Sequence, residues 1–578
     1  MKTMKSHALA VATAVLALSM ASCVDNDYDL TDNIDLTITV GGDSLMVPKS
    51  DTEEMTMDEI LSVDSTNTGS MRIASQGEWD MNEGDLYLYA DNEGDENKST
   101  ITTPTAYLSG NSMNGKASVA AGGGQVSLSV AVNTSDAISE EIIEMDEANV
   151  VGTLTFSLEG SGLTLSNGFT ITLPDYWTVQ GSGSKYTASG NKITFNEAAS
   201  LPTTVTVYPS HYDFTSSLTS FTSGNPGTLT MGGNILLSGY VSSSNASAKD
   251  LTADIDMSQT EMLSIYGVVE PEIDITVDPM EFTDIDEALQ DEETDLDWDN
   301  PQIYLTVFNP SNMPINFSQI KFKSSLEHKS WTETHELAIG SDHPETTFGD
   351  IIAEPSGEEG YTLGLYPDHL PTSELDNVDR QVQIANMVDM MRRIPDRIDV
   401  YDIEANVPRD VKCWVDMGHV YDLDVQYYLL APLCFGESLA IAYNDTLSGW
   451  QKDLKDVEKV YNLEVSMDVH NKVPLQLDMT AVLMDTLQQE IPESKMKLTM
   501  EPETPRLDAG KPESPSTSHV KISIECPDGD ISLLDGLVVR LITTNTQDCW
   551  GVNINQAQSV TLDNIEIAVM GGITFNLN

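Results

Sequence analysis

Short runs in which every second residue is apolar recur from one end of this chain to the other. Examples are VSLSVAV (126–132), TLTFSLEG (153–160), FTITLP (169–174), TTVTVY (203–208), EIDITVD (272–278), IYLTVFN (303–309), LEVSMDV (463–469), VKISIE (520–525) and VTLDNIEIAV (560–569). In an extended chain successive side chains point to opposite faces, so each run predicts a strand with one dry face. Gly, Asn, Ser and Pro clusters punctuate the runs, as turns require. Many short strands with turns between them predict a mainly β protein, built of tandem β-sandwich-like domains with few helices. No strand–helix–strand alternation appears, which argues against a parallel α/β sheet. A length of 578 residues implies roughly three or four domains.

Helical periodicity is scarce. Its clearest instance is SELDNVDRQVQIANMVDMMRRI (373–394), where Ile384, Met387, Val388 and Met391 would share one face of a helix. Ser373 suits the N-cap, Arg392 and Arg393 suit the negative end of the helix dipole, and Pro395 would stop the helix. The dipole accounts for both arginines without an anion site. Weaker helical patterns run through 449–460 and 53–62.

One internal echo links two regions. YLTVFNPSNMPINF (304–317) and EVSMDVHNKVPLQL (464–477) each read as a strand ending in Asn, a turn, a Pro and a second strand. The echo predicts two related β-modules, starting near 270 and near 456.

The N-terminus carries a different signal. Lys2 and Lys5 precede an apolar run from Ala8 to Met20. Thirteen apolar residues fall short of the about 20 a membrane helix needs, and a basic segment before a short apolar core is an export signal. Ala21 and Ser22 followed by Cys23 resemble the lipobox of bacterial lipoproteins, although Met20 stands where Leu is usual. That resemblance implies removal of residues 1–22 and lipidation of Cys23, with the acyl chains as the membrane contact. An ordinary secretory signal containing a cysteine is the competing reading. Asp25, Asp27 and Asp29 then resemble the surface-export tag of Bacteroidota lipoproteins, and a solvated acidic tether is the plainer alternative.

Charge excludes one class of partner. The formal net charge is −64, and loss of Lys2 and Lys5 leaves 26 bases against 92 acids, or −66. Such a chain repels phosphate backbones, so nucleic acid is not expected as a partner. Hydrophobic residues at 40% are enough for packed cores, which excludes an acidic disordered chain. Export permits disulfides among Cys413, Cys434, Cys526 and Cys549; proximity suggests 413–434 and 526–549, while free buried thiols are an equal expectation. Cys526 follows the inward positions Ile522 and Ile524 and should face a core. No CxxC pair occurs, leaving zinc without support.

Catalytic patterns are not legible. HExxH, GxSxG and Walker-type loops do not occur, and His328, His335 and His343 have spacings that suit no usual metal site. No cofactor is therefore expected. Asp295, Asp297 and Asp299 in DLDWDN are the weak candidates for structural calcium, though the loop lacks the EF-hand glycine and runs into Pro301. The seven Trp do not cluster in sequence; Trp298, set among aspartates, is the one expected to be exposed.

CVDNDYDLTDNIDLTITVGGDSL (23–45), DTLSGWQKDLKDVEKVYNLEVSMDVHNKVPL (445–475) and LDNIEIAVMGGITFNLN (562–578) resemble large outer-membrane and surface lipoproteins of Bacteroidota. The resemblance covers both ends and the last third, and implies location and a multi-domain β build but no active site. The expected organisation is a signal peptide at 1–22, an acidic tether and first strand at 23–52, one or more β domains at 53–268, a middle β domain at 269–455 holding the 373–394 helix, and a C-terminal β-sandwich at 456–578. The expected function is that of a non-enzymatic lipoprotein of the outer membrane, anchored through Cys23 and facing the cell surface, with the periplasmic face as the alternative. Its partner, protein or glycan, is not legible. A glycan-binding accessory of carbohydrate uptake and a fimbria-like subunit or assembly accessory are the competing functions.

Overall fold

Antiparallel ladders hold this chain together, and their partners lie far apart in sequence. The computed structural model describes residues 37–40, 44–48, 53–61, 63, 66, 69–92, 99–327, 330–342, 351–356, 359–448, 451, 457–502, 505–511, 514–545, 547–570 and 573–576. The protein is mainly β, as the alternation predicts.

Among the described residues three large sets of sheets emerge, beside a small sheet of Thr37–Val40, Ile573–Asn576 and Val457–Lys459. The first is the block of strands from Ala106–Leu108 to Thr260–Val269, joined by Cys413–Asp416. The second packs a sheet containing Gln302–Phe308, Tyr361–Tyr366 and Val420–Pro432 with one containing Ile315–Glu327, Thr332–Ile339 and Arg397–Asn406. The third packs Asn462–Asn471, Ser516–Glu525 and Ser559–Met570 with Ala440–Leu447, Gln476–Met484 and Gly536–Thr544. Alternate residues of these strands, such as Ile303, Leu305, Phe317 and Phe322, are buried in a continuous core.

Strand pairing crosses the expected boundaries. Within 53–268, Glu53–Thr56 pairs with Ser559–Leu562, and Met71–Ile73, Leu86–Asp91 and Ser99–Thr102 belong to the sheet of Val420–Pro432. The third set begins before 456, since Ala440–Leu447 pairs with Leu537–Thr544. Alternation marks strands, but each pairing is decided by distant surfaces that must be dry.

The two echoing segments perform the same manoeuvre. In each, a strand of one sheet ends at a buried Asn and the chain crosses to the facing sheet. Asn309 Nδ2 donates to the Met313 carbonyl at 2.7 Å, and its Oδ1 accepts the Ser311 N–H at 3.1 Å. Asn471 Nδ2 donates to the Leu475 carbonyl at 2.8 Å, and its Oδ1 accepts the Val473 N–H at 2.8 Å. The side chain stands in for ladder partners that the turning backbone loses. Gly510 lies against the second turn; a Cβ there would sit 1.8 Å from the Asn471 carbonyl oxygen.

The helix expected over 373–394 is corrected. Leu375–Asn377 is a 3-10 turn, Arg380–Gln383 a strand and Ala385–Met391 a second 3-10 segment. Arg380–Gln383 lies parallel to Leu363–Tyr366, and that ladder takes the backbone groups a helix would have used. The apolar stripe still faces inward, since Ile384, Met387 and Met391 are buried. Within 449–460, Val457–Lys459 is a strand against the last one, Ile573–Asn576. Near 53–62, the helix shrinks to Met57–Ile60 after the strand Glu53–Thr56.

Candidate functional site: an aromatic sheet face

The strand Leu86–Asp91 reads LYLYAD. Leu86 and Leu88 enter the main core, so Tyr87 and Tyr89 emerge on the other face. In Val420–Pro432, Tyr427 and Leu429 point to the core and Tyr428 and Leu430 to the other face; in Gln302–Phe308, Tyr304 does the same between Ile303 and Leu305. Register sets Tyr304 directly opposite Tyr428. Their rings stack at 4.8 Å and 16°, and Tyr89 stacks on Tyr428 at 5.6 Å and 26°.

Trp79 lies over this pair, 6.0 Å from Tyr304 and 5.7 Å from Tyr428, with both contacts tilted. It reaches there from a 3-10 turn, Glu78–Asp80, in which its own φ is +53°. Left-handed backbone at a Trp is strained and needs support from its surroundings. Ser75 supplies some, donating through Oγ to Glu78 Oε2 at 2.6 Å. Asp80 supplies more by accepting the N–H groups of Thr372 and Ser373, which ties this turn to the loop after Tyr361–Tyr366. Arg72 completes the face with its guanidinium carbon 3.9 Å from the Tyr89 ring centre, a cation–π contact.

Burial raises the phenol of Tyr89 to about 12, with Asp91 adding to the effect, and also raises those of Tyr304 and Tyr428. All three therefore stay neutral in ordinary buffers. Burial, then the charge of Asp80, raises the Glu374 carboxyl, while the hydrogen bond from Ser75 lowers that of Glu78. The Tyr304 hydroxyl is buried and meets no hydrogen-bond partner among the described residues. A half-exposed indole beside neutral phenols and one guanidinium can hold a flat or apolar ligand face by stacking.

None of these residues stands out when the seven Trp are surveyed along the chain. The available signal was Tyr at positions alternating with aliphatic core residues, as in LYL (86–88) and IYL (303–305).

The residues singled out from sequence lie elsewhere. Cys23 is outside the described residues. Asp295, Asp297 and Asp299 alternate with buried Leu296, Trp298 and Asn300. Asp297 Oδ2 accepts the Ser438 N–H at 2.8 Å, and Asp299 Oδ2 stands 3.8 Å from Cys434 Sγ. No group of three or more His, Cys, Asp or Glu among the described residues is placed to hold a metal. Trp298 is buried rather than exposed: the aspartates take the outer positions of a strand-like segment, its indole packs on Phe435 at 5.2 Å, and Nε1 donates to the Met391 carbonyl at 2.6 Å.

Cys413, Cys434, Cys526 and Cys549 are free thiols, which corrects the two suggested bridges and agrees with the alternative of free thiols. Cys413 belongs to the first set of sheets, whereas Cys434 lies beside Asp299. Cys526 faces the core, as its spacing predicts. Burial pushes Cys434 up to about 12, reinforced by Asp299, and Cys526 up to about 11.

Arg392 pairs with Asp389 at 3.3 Å, and Arg393 with Glu333 at 2.6 Å. Glu333 also meets His335 at 2.6 Å, so this recess satisfies its own charges; His328 and His343 are outside the described residues.

Comparison with known proteins adds little. No family model matches the chain, and no curated protein matches it. Among solved structures it is similar to a protein described as secreted, from Parabacteroides distasonis, at 12% identity over 54% of this chain and 83% of that one, with a TM-score of 0.31. It also aligns with infectious bursal disease virus, Gx strain, at 10% identity over 76% of this chain and 83% of that one, with a TM-score of 0.08. Likenesses this slight carry no argument about fold or function. Among the described residues no helix is long and apolar enough to cross a membrane, which says nothing about β-barrels.

Proposed function

We propose that this chain is an exported lipoprotein, anchored through Cys23 in the outer membrane and facing the cell surface, with a non-catalytic interaction or structural role. The observation that supports it most is the fate of the segment after Cys23. Thr37–Val40 pairs with Ile573–Asn576, and Ser44–Pro48 pairs with Glu566–Met570. Cys23 and Thr37 are 14 positions apart, a reach of at most about 50 Å. A lipid at Cys23 would then be fastened, through a short acidic tether, to strands hydrogen-bonded into the far end of the chain. Pull on the anchor would load whole ladders rather than one loop.

Protease treatment of intact cells tests the orientation. Loss of the protein while a periplasmic marker survives is the expected result; full protection would place it on the periplasmic side and end the surface role.

The aromatic face favours a second reading, a glycan-binding accessory of a carbohydrate-uptake system. Trp79, Tyr89 and Tyr428 converge on one sheet face, as a platform for sugar rings would require. Binding on a glycan array that disappears in Trp79→Ala would support this reading, and an array showing no binding would remove it.

A further inference from the structure

The first set of sheets ends in a long open edge. Strand Gly124–Ile138 pairs with Gly227–Val241 through 15 successive residues without a register shift. The strand before it in the chain, Asn111–Val119, pairs instead with Lys249–Met257. Among the described residues Gly124–Ile138 thus has one ladder partner, and its other edge presents backbone N–H and C=O groups.

Proteins usually blunt such edges with Pro, Lys, outward charges or bulges. Pro, Lys, outward charges and bulges are missing here, and the one inward charge, Asp136, lies near the C-terminal end of the strand, away from Ser129. The strand reads GQVSLSVAVNTSDAI, and its one charged residue, Asp136, is buried and accepts the Ser109 N–H at 2.8 Å. Every second position from Gln125 to Ala137 is exposed, and each carries an amide, a hydroxyl or a methyl. The paired strand, GTLTMGGNILLSGYVSS, has no charge at all. In a chain of 92 acids and 28 bases, this is a neutral sheet face with a ready edge.

Charge decides which occupant fits best. Two copies of a chain at −64 repel wherever acidic surfaces meet, so a neutral face is where they can approach at least electrostatic cost. The sequence is also self-complementary about Ser129. Antiparallel pairing on a two-fold axis there sets Val126 opposite Val132 and Leu128 opposite Val130 on the inner face. It sets Gln125 opposite Asn133 and Ser127 opposite Ala131 on the outer face. Each pair keeps its own face, as a sheet continued between two molecules requires.

We propose that Gly124–Ile138 is a self-association edge through which two copies of this chain pair antiparallel about Ser129, joining two sheets into one.

The test uses the full chain carrying Cys23→Ala, so that shared acyl chains cannot mimic association. Sedimentation velocity should show a concentration-dependent dimer. Adding Ser129→Lys sets two ammonium groups opposite each other on the axis; the dimer should vanish while circular dichroism and melting temperature stay unchanged. Adding Ser129→Cys instead should give a disulfide-linked dimer on mild oxidation. Directly opposed Cα atoms in antiparallel pairs lie about 4.5–5.5 Å apart, within disulfide reach. The exposed Thr178→Cys, on another strand, should give none. A chain that stays monomeric at every concentration, a dimer indifferent to Ser129→Lys, or a Ser129→Cys chain that fails to link overturns the proposal.

Discussion

Asn309 and Asn471 do the same work in two turns that share little other sequence. Each is buried and satisfies a backbone N–H and a backbone carbonyl across its turn, and Asn471 Nδ2 also donates to the Asp508 carbonyl at 2.9 Å. Truncation leaves both groups unpaired in a dry turn, and each such loss costs about 1–3 kcal/mol. Asn309→Ala should therefore lower stability by about 3 kcal/mol, read as an earlier denaturant midpoint, and Asn471→Ala should do likewise. Asn309→Asp should do no better, because a carboxylate cannot donate to the Met313 carbonyl. The sequence shows these two residues as an Asn–turn–Pro echo but does not show their hydrogen bonds.

The thiols give a second residue-scale expectation. Cys434 and Cys526 titrate above their ordinary value of 9 in the folded protein, so the folded state binds these protons more tightly. Their contribution to stability is complete below about pH 9 and is lost as pH rises towards 11 and 12. At pH 8 an alkylating reagent should reach the half-buried Cys413 first and leave Cys434 and Cys526 untouched until the protein unfolds, after which all four react. Fewer than four reactive thiols in the unfolded, unreduced chain would reinstate a disulfide.

At the scale of elements, period-two alternation was a sound guide because it reports burial on one face directly. The strands at 126–132, 203–208, 303–309 and 463–469 lie where alternation placed them. Helical periodicity misled at 373–394, since the same spacing of Ile384, Met387 and Met391 also buries those side chains from a strand followed by 3-10 turns. The aromatic face is not legible in the sequence because Trp79, Tyr89, Tyr304 and Tyr428 come from a turn and three separated strands, and only register brings them together. Thr37–Val40 and Ser44–Pro48 cover edges of the last two strands. Deleting 37–48 should bare those edges, lower the melting temperature and promote aggregation. Calorimetry and light scattering check this, and an unchanged melt would contradict it.

At the scale of the whole molecule, composition bounded the class well and the layout poorly. A net charge of −64 with 40% hydrophobic residues reads correctly as packed β sheets under an acidic surface. A linear string of domains does not follow, because the chain starts in the sheets where it ends and places strands 71–102 in the sheet of 420–432. Such long-range closure leaves no mark on local pattern.

Acyl labelling combined with membrane sedimentation tests attachment through Cys23. Cells fed a labelled fatty acid should yield a labelled, sedimenting wild-type chain and an unlabelled, soluble Cys23→Ala chain. A Cys23→Ala chain that still sediments with the membranes would rule out Cys23 as the anchor.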